Sequence, residues 1–370
     1  MIEEGLHVHI PPSNGKAFVN TVADNKEGFS KRQVKQARAA RELYATLVYP
    51  SVRDFKWAIM TNQIANCPVT VQDIDAAQAI WGKDIAALKG KTVRQKPVPV
   101  VGNAMKVPKE FLQLQQDVYL TLDIFFVGGI PFLLTLSRKI DFTSATHLAN
   151  RKLETIYKAF KEVYHFYKRR GFKIRTVHTD GEFEPLKHMV EAKPNAPTIN
   201  LAAANEHVPE IEHRIRVVKE RARALRHSLP FKRMPKILTT NLVLHVVRQL
   251  TFFPSKAGIS QVFSPRKIML GEVLDHKKHL ALQYGEYVQV HEENGPRNSQ
   301  RARTQAAVCM GPSGNKQGGY KFMSLTSGAR LIRHSWDRIP LPDTVIARAN
   351  HLGNGEPKEL VFKDRNDWRC

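Results

Sequence analysis

Residues 119–137 read YLTLDIFFV-GG-IPFLLTLS, with Gly128 and Gly129 between two apolar runs. Such runs joined by two glycines predict a tight β-hairpin, because both central turn positions need a positive φ that glycine adopts without strain. A charge stands inside the first run. Asp123 lies between Leu122 and Ile124, and strand alternation puts it on the face of Thr121 and Phe125. A carboxylate on a central strand costs desolvation energy unless something cationic compensates it. Asp123 is therefore either an acid hydrogen-bonded at a sheet edge or a metal ligand.

Working outward, a short third strand is expected near Ile140. Leu153, Ile156, Phe160, Val163 and Tyr167 then recur at helical spacing, which predicts a helix over 147–169 that Gly171 ends. Residues 172–178 read as a strand running into Thr179-Asp180-Gly181, and a helix over 184–193 is broken by Pro194 and Pro197. Hairpin, helix, strand, helix is the order of a mixed α/β sheet. Asp180 closes a strand, where α/β sheets gather catalytic groups, although an Asp before Gly also simply forms turns. The clearest helix spans 207–227, with Ile211, Ile215, Val218, Ala222 and Leu225 as its apolar stripe, and another spans 236–250. Glu210 and Glu212 flank that stripe. Glu210 follows Pro209 in the first turn, where an acid complements the helix dipole. Glu212 heads a basic row of Arg216, Lys219 and Arg223, suited to a metal-bound phosphodiester, or else makes an ordinary i,i+4 ion pair. The pattern leaves both acids open.

Before the hairpin, residues 1–27 read as tail or linker. Ser30 caps a helix carrying Val34, Ala37, Arg41 and Tyr44, and Thr70 with Asp73 has capping-box spacing ahead of Ile74, Ala77, Ile80 and Gly82. The stretch KGKTVRQKPVPVVGN at 89–103 marks a linker. The expected organisation is a helical region at 28–100, an α/β core at 105–255 and a connector at 256–283. The runs YVQV, AAVCMG, GYKFMSL and ARLIRHS then predict a small β-barrel at 284–345, with a tail at 346–370.

Lys and Arg total 57 against 34 Asp and Glu, a formal +23 with a pI near 10.0. That field favours a polyanionic partner, since each neutralised phosphate releases counterion. Aromatics are only 8%, with no aromatic strand for stacking RNA bases. Cys67, Cys309 and Cys370 form neither a zinc clip nor a disulfide framework, so no zinc site is expected and a reducing compartment is. No apolar run is long enough to span a membrane, and residues 1–16 lack the pattern of a secretion signal.

The segments VYLTLDIFFV, HTDGEFE and HVPEIEHRIRVVKERARALRH together resemble the DDE catalytic core of copia-type LTR-retrotransposon integrases. The family's first Asp, mid-strand in a hairpin, matches Asp123. Its second matches Asp180 within His178-Thr179-Asp180-Gly181-Glu182-Phe183. Its Glu begins a helix whose register fits Glu212 with Arg216, Glu220, Ala222 and Arg223, so Glu210 is the alternative third acid. KEGFSKRQVKQARAAREL and the stretch from VRDFKWAIM to LKGKT resemble the family's pre-integrase region, and the C-terminal strands its small Src-homology-type barrel. The sequence departs from the pattern in lacking an Asn-Gly in the second motif and an intact upstream His-His-Cys-Cys motif. The resemblance implies an α/β, RNase-H-like mixed sheet with flanking helices, a helical N-terminal region and a C-terminal small β-barrel. It implies two Mg²⁺ or Mn²⁺ ions held by Asp123, Asp180 and Glu212, with Arg216, Lys219 and Arg223 on DNA phosphates. The activity implied is strand transfer of element cDNA ends into host target DNA by a homo-oligomer, with 3′-end trimming when water attacks. The expected location is the nucleus, after a cytoplasmic particle stage. An RNase-H-fold nuclease and a DNA-binding remnant without catalysis are the alternatives.

Overall fold

The computed structural model describes residues 2–3, 6–7, 19–93, 116–194, 196–202, 208–255, 258–292, 300–315, 318–356 and 362–363. The hairpin forms as its sequence requires. Strands β1 (Asp117–Val127) and β2 (Ile130–Ser137) pair antiparallel from Leu120–Ser137 to Val127–Ile130. Gly128 and Gly129 turn the chain with φ of 59° and 76°. Strand β3 (Thr143–His147) adds antiparallel to β2. It begins beyond Ile140 because Lys139 and Asp141 take left-handed backbone in a turn that Asp141 N–H closes onto the Ser137 carbonyl at 2.8 Å.

Helix α6 (Leu153–Arg169) starts later than 147 because the Asn150 side chain accepts from Lys152 N–H and Thr155 Oγ1 and holds the entry non-helical. Strand β4 (Lys173–Thr179), helix α7 (Glu184–Glu191) and strand β5 (Thr198–Leu201) follow. Strands β1, β4 and β5 run parallel, giving the order β3-β2-β1-β4-β5, to which Phe362–Lys363 adds at the far end of β1. Three antiparallel strands followed by two parallel ones make a five-stranded mixed sheet, consistent with an RNase-H-like fold.

Both faces of that sheet are covered, which explains the near-continuous apolarity of β1. Leu120, Leu122 and Ile124 pack on Phe160, Val163 and Tyr167 of α6 and Leu186 of α7. Phe125, Val127 and Phe132 pack on Ile211, Ile215 and Val218 of helix α8 (Pro209–His227) and Leu242 and Val246 of helix α9 (Lys236–Leu250). Each such side chain contributes roughly 1.5–3 kcal/mol by burial. The second core continues into Tyr287, Val308 and Met323, so α9 is shared with the C-terminal sheet.

That sheet holds β6 (Tyr287–His291), β7 (Thr304–Pro312), β8 (Tyr320–Ser324), β9 (Arg330–Arg333) and β10 (Trp336–Arg338), in the antiparallel order β9-β8-β7-β6-β10. The expected barrel is not closed: among the described residues no ladder joins the outer strands β9 and β10. They are short and separated only by His334 and Ser335, and the link is held instead by His291 N–H donating to the Ser335 carbonyl at 3.0 Å.

The N-terminal helices are α1 (Val22–Glu27), α2 (Lys31–Thr46), α3 (Val52–Met60), α4 (Val71–Trp81) and α5 (Ile85–Lys91). Complete capping boxes start α2 at Ser30 with Gln33 and α4 at Thr70 with Asp73. Gly82 ends α4 with φ 68°, and a Cβ there would stand 2.7 Å from Pro340 Cδ. The stretch read as tail up to residue 27 joins the fold from Val19, because Val19 and Val22 are buried and Val22 N–H donates to the Leu341 carbonyl at 2.9 Å. Residues 94–103 of the expected linker lie outside the described residues, whereas Lys89 and Lys91 end α5. The connector contains α10 (Pro265–Leu270) and α11 (His276–His279), and α12 (Asp343–Leu352) follows the second sheet. No helix among the described residues is long and apolar enough to cross a membrane.

Candidate active site

The site is built where β1 and β4 run side by side. Their parallel ladder ends with Thr121 opposite His178, and two positions further along stand Asp123 and Asp180. Two residues restore the same face of a strand. The register therefore sets the two acids beside each other, both on the face that α8 covers. Asp123 is half-buried, and its Oδ1 accepts from Ile124 N–H at 2.6 Å. Asp180 leaves the sheet as the cap of a single 3-10 turn, Gly181–Phe183, pinned by the buried ring of Phe183. The neighbouring β5 ends at the same level, with Ala202 N–H donating to the Thr179 carbonyl at 2.8 Å. A carboxylate on a central strand thus has, on the adjacent strand, one at that strand's carboxyl end, where open α/β sheets leave room for a ligand.

The two candidate third acids part company on α8. Positions 210 and 212 are about 200° apart around a helix, so they lie on opposite flanks of the buried stripe Ile211, Ile215, Val218 and Ala222. Glu210 is engaged by Arg138, whose Nε donates to Oε2 at 2.7 Å. Glu212 is exposed on the other flank, with Arg216 and Arg223 also exposed. Lys219 departs from that exposed row, because its side chain folds in and is only 5% exposed. Arg216 is steadied by His213, its Nη2 lying 3.0 Å from the ring Nδ1. On β4, Arg175 pairs with Asp117 at 2.9 Å and Lys173 is exposed.

Three residues without a role in the sequence reading also reach this face. His178 and Asn200 are opposite one another on β4 and β5, with Asn200 Nδ2 3.3 Å from His178 Nδ1. Burial lowers the His178 pKa, the Arg138 charge lowers it further, and Glu210 opposes both. His178 sat in the quoted motif, so its signal was in the sequence. Arg138 and Asn200 carried none, because only the register brings them near.

Asp123 and Asp180 fit the carboxylate share of a Mg²⁺ site, which takes one or two carboxylates and completes its octahedron with water and substrate phosphate. A three-carboxylate cluster does not form in this conformation: among the described residues no three His, Cys, Asp or Glu side chains are gathered as metal ligands.

No family model and no curated relative matches the chain. Among solved structures it is similar to the catalytic core domain of BIV integrase, with a TM-score of 0.31 and 10% identity over 41% of this chain and 93% of that chain.

Proposed function

We propose that this chain is a DNA-processing enzyme of the integrase type that breaks and joins phosphodiester bonds at Asp123 and Asp180. The observation that carries the reading is the β1–β4 register, whose last pair is Thr121–His178 and which leaves Asp123 and Asp180 each two positions further along. The resemblance of HTDGEFE and of the α8 sequence to copia-type integrases supports it, as does the formal +23 of the chain. Asp123 and Asp180 would hold Mg²⁺ or Mn²⁺, with Glu212, which fits the register of the resemblance, as the third acid and Glu210, bonded to Arg138, as the alternative. Bound metal supplies activation of the attacking oxygen and stabilisation of the leaving one. Arg216 and Arg223 hold the DNA backbone beside the site, and His178 with Asn200 offers hydrogen bonds there.

In its full form the reading is insertion of retrotransposon cDNA into host DNA by strand transfer, with water as the alternative attacker for 3′-end trimming. A homo-oligomer would act on paired DNA ends in the nucleus, after a cytoplasmic particle stage. A second reading, a DNA-binding remnant, is favoured by one observation: among the described residues no three acids are gathered as metal ligands. The two readings separate in one assay. A labelled duplex is incubated with plasmid and Mg²⁺ or Mn²⁺, for wild type and for Asp123→Asn, Asp180→Asn, Glu210→Gln and Glu212→Gln. The enzyme gives nicked or joined products that vanish in the two Asp variants and in Glu212→Gln and persist in Glu210→Gln. Metal-independent DNA binding with no product identifies the remnant.

A further inference from the structure

Away from the acids, a cavity of about 270 Å³ opens between β3, α9 and the C-terminal sheet. Arg248, Arg266 and Lys321 line it, with Thr143, Ser144 and Asn241 among its polar groups. The charge there is unbalanced. Among the described residues Glu272 is the carboxylate that answers the two arginines, accepting from Arg248 Nη2 at 2.6 Å and Arg266 Nε at 2.7 Å. Three cations against one carboxylate leave a formal +2. Lys321 has no acidic partner and no hydrogen bond to its ammonium among the described residues; the charges it feels are those of Arg330 and Arg248. Two polar atoms are left unsatisfied as well. Thr143 Oγ1 and Arg248 Nε are both buried with no hydrogen-bond partner.

We infer that this cavity is an anion site for a phosphate group, distinct from the candidate active site on the α8 face. An excess of positive charge around a buried cavity is costly unless an anion joins it, and arginine with lysine is the donor set that phosphate favours. Burial and the neighbouring cations lower the pKa of Lys321 and hold that of Arg248 at about 10, in keeping with a site that lacks a counter-charge. His245 also lines the cavity; burial pushes its pKa down to about 4, so it enters as a neutral hydrogen-bonding group. The volume suits one or two phosphate groups, whether free or belonging to a nucleic-acid backbone.

The test uses the full chain and inorganic pyrophosphate at fixed ionic strength, followed by calorimetric titration and thermal melting. Wild type binds saturably. Lys321→Gln binds at least about tenfold more weakly, the loss of one charge-assisted contact, while Lys321→Arg retains binding. Without pyrophosphate, Lys321→Gln melts no lower than wild type, because a like charge beside Arg248 has been removed. Duplex DNA then assigns the source: displacement of pyrophosphate points to the backbone, and binding without displacement to a free phosphate compound. Equal pyrophosphate affinity in wild type and Lys321→Gln overturns the site. So does a Lys321→Gln chain destabilised on its own, which makes Lys321 a structural cation.

Discussion

Replacing Glu272 with glutamine removes the carboxylate that Arg248 and Arg266 share. Both arginine side chains are 12% exposed and Glu272 is 23% exposed. His279 supplies a third bond at 3.2 Å. Asp275 N–H donates to His279 Nδ1 at 2.9 Å, so Nε2 is the donor to the carboxylate even when the ring is neutral. Burial alone would raise the Glu272 pKa; the His279 bond and the charges of Arg266 and Arg248 overcome it and hold the group at about 2, against 4.5 ordinarily. At about 1.36 kcal/mol per pH unit, that gap is worth about 3 kcal/mol. The folded value is the lower one, so this stability is fully present above pH 4.5 and is lost as pH falls through about 2. Breaking such a buried network costs roughly 3–5 kcal/mol by the general behaviour of buried pairs, in agreement. Urea denaturation of wild type and Glu272→Gln followed by circular dichroism gives the difference directly. It should be about 3 kcal/mol at pH 7 and shrink to about 1 kcal/mol at pH 3, where the unfolded wild type is already protonated. Equal stability at pH 7, or a difference that persists undiminished in acid, refutes the reasoning.

Three further outcomes follow from the packing and the charge. Phe125→Ala empties a fully buried position stacked 5.5 Å from Phe132 and should cost about 3–5 kcal/mol in denaturant unfolding. Gly82→Ala forces a Cβ onto Pro340 in left-handed backbone and should destabilise by more than about 1 kcal/mol in the same assay. Arg216→Ala with Arg223→Ala should weaken duplex DNA binding across sequences and reduce the slope of log K against log salt by about 2, measured by fluorescence anisotropy at several salt concentrations.

Local signals in the sequence carried much of this architecture. The Gly128-Gly129 turn, the capping boxes at Ser30 and Thr70 and the α8 stripe each depend on residues close along the chain, where periodicity and turn chemistry act directly. Strand β5 escaped notice because four residues after two proline breaks show little alternation, and its pairing with β4 is parallel and non-local. The open edge of the second sheet is invisible for the same reason: short strands announce themselves, but closure depends on ladders between distant residues. At the site, Asp123 and Asp180 were each readable as a strand acid, yet their juxtaposition is a property of register. Glu210 and Glu212 looked alike in sequence, since both flank one stripe; the Arg138 partner of Glu210 comes from the end of the hairpin and has no local signal. The burial of Lys219 likewise could not be read from a helical row it shares with exposed arginines.

Mn²⁺ binding followed by electron paramagnetic resonance tests the central claim, that Asp123 and Asp180 form one site, without depending on a DNA substrate. Wild type should bind Mn²⁺ saturably, and Asp123→Asn and Asp180→Asn should each abolish that binding while leaving the melting temperature of the metal-free chain essentially unchanged. Mn²⁺ binding that survives either substitution would contradict the shared site.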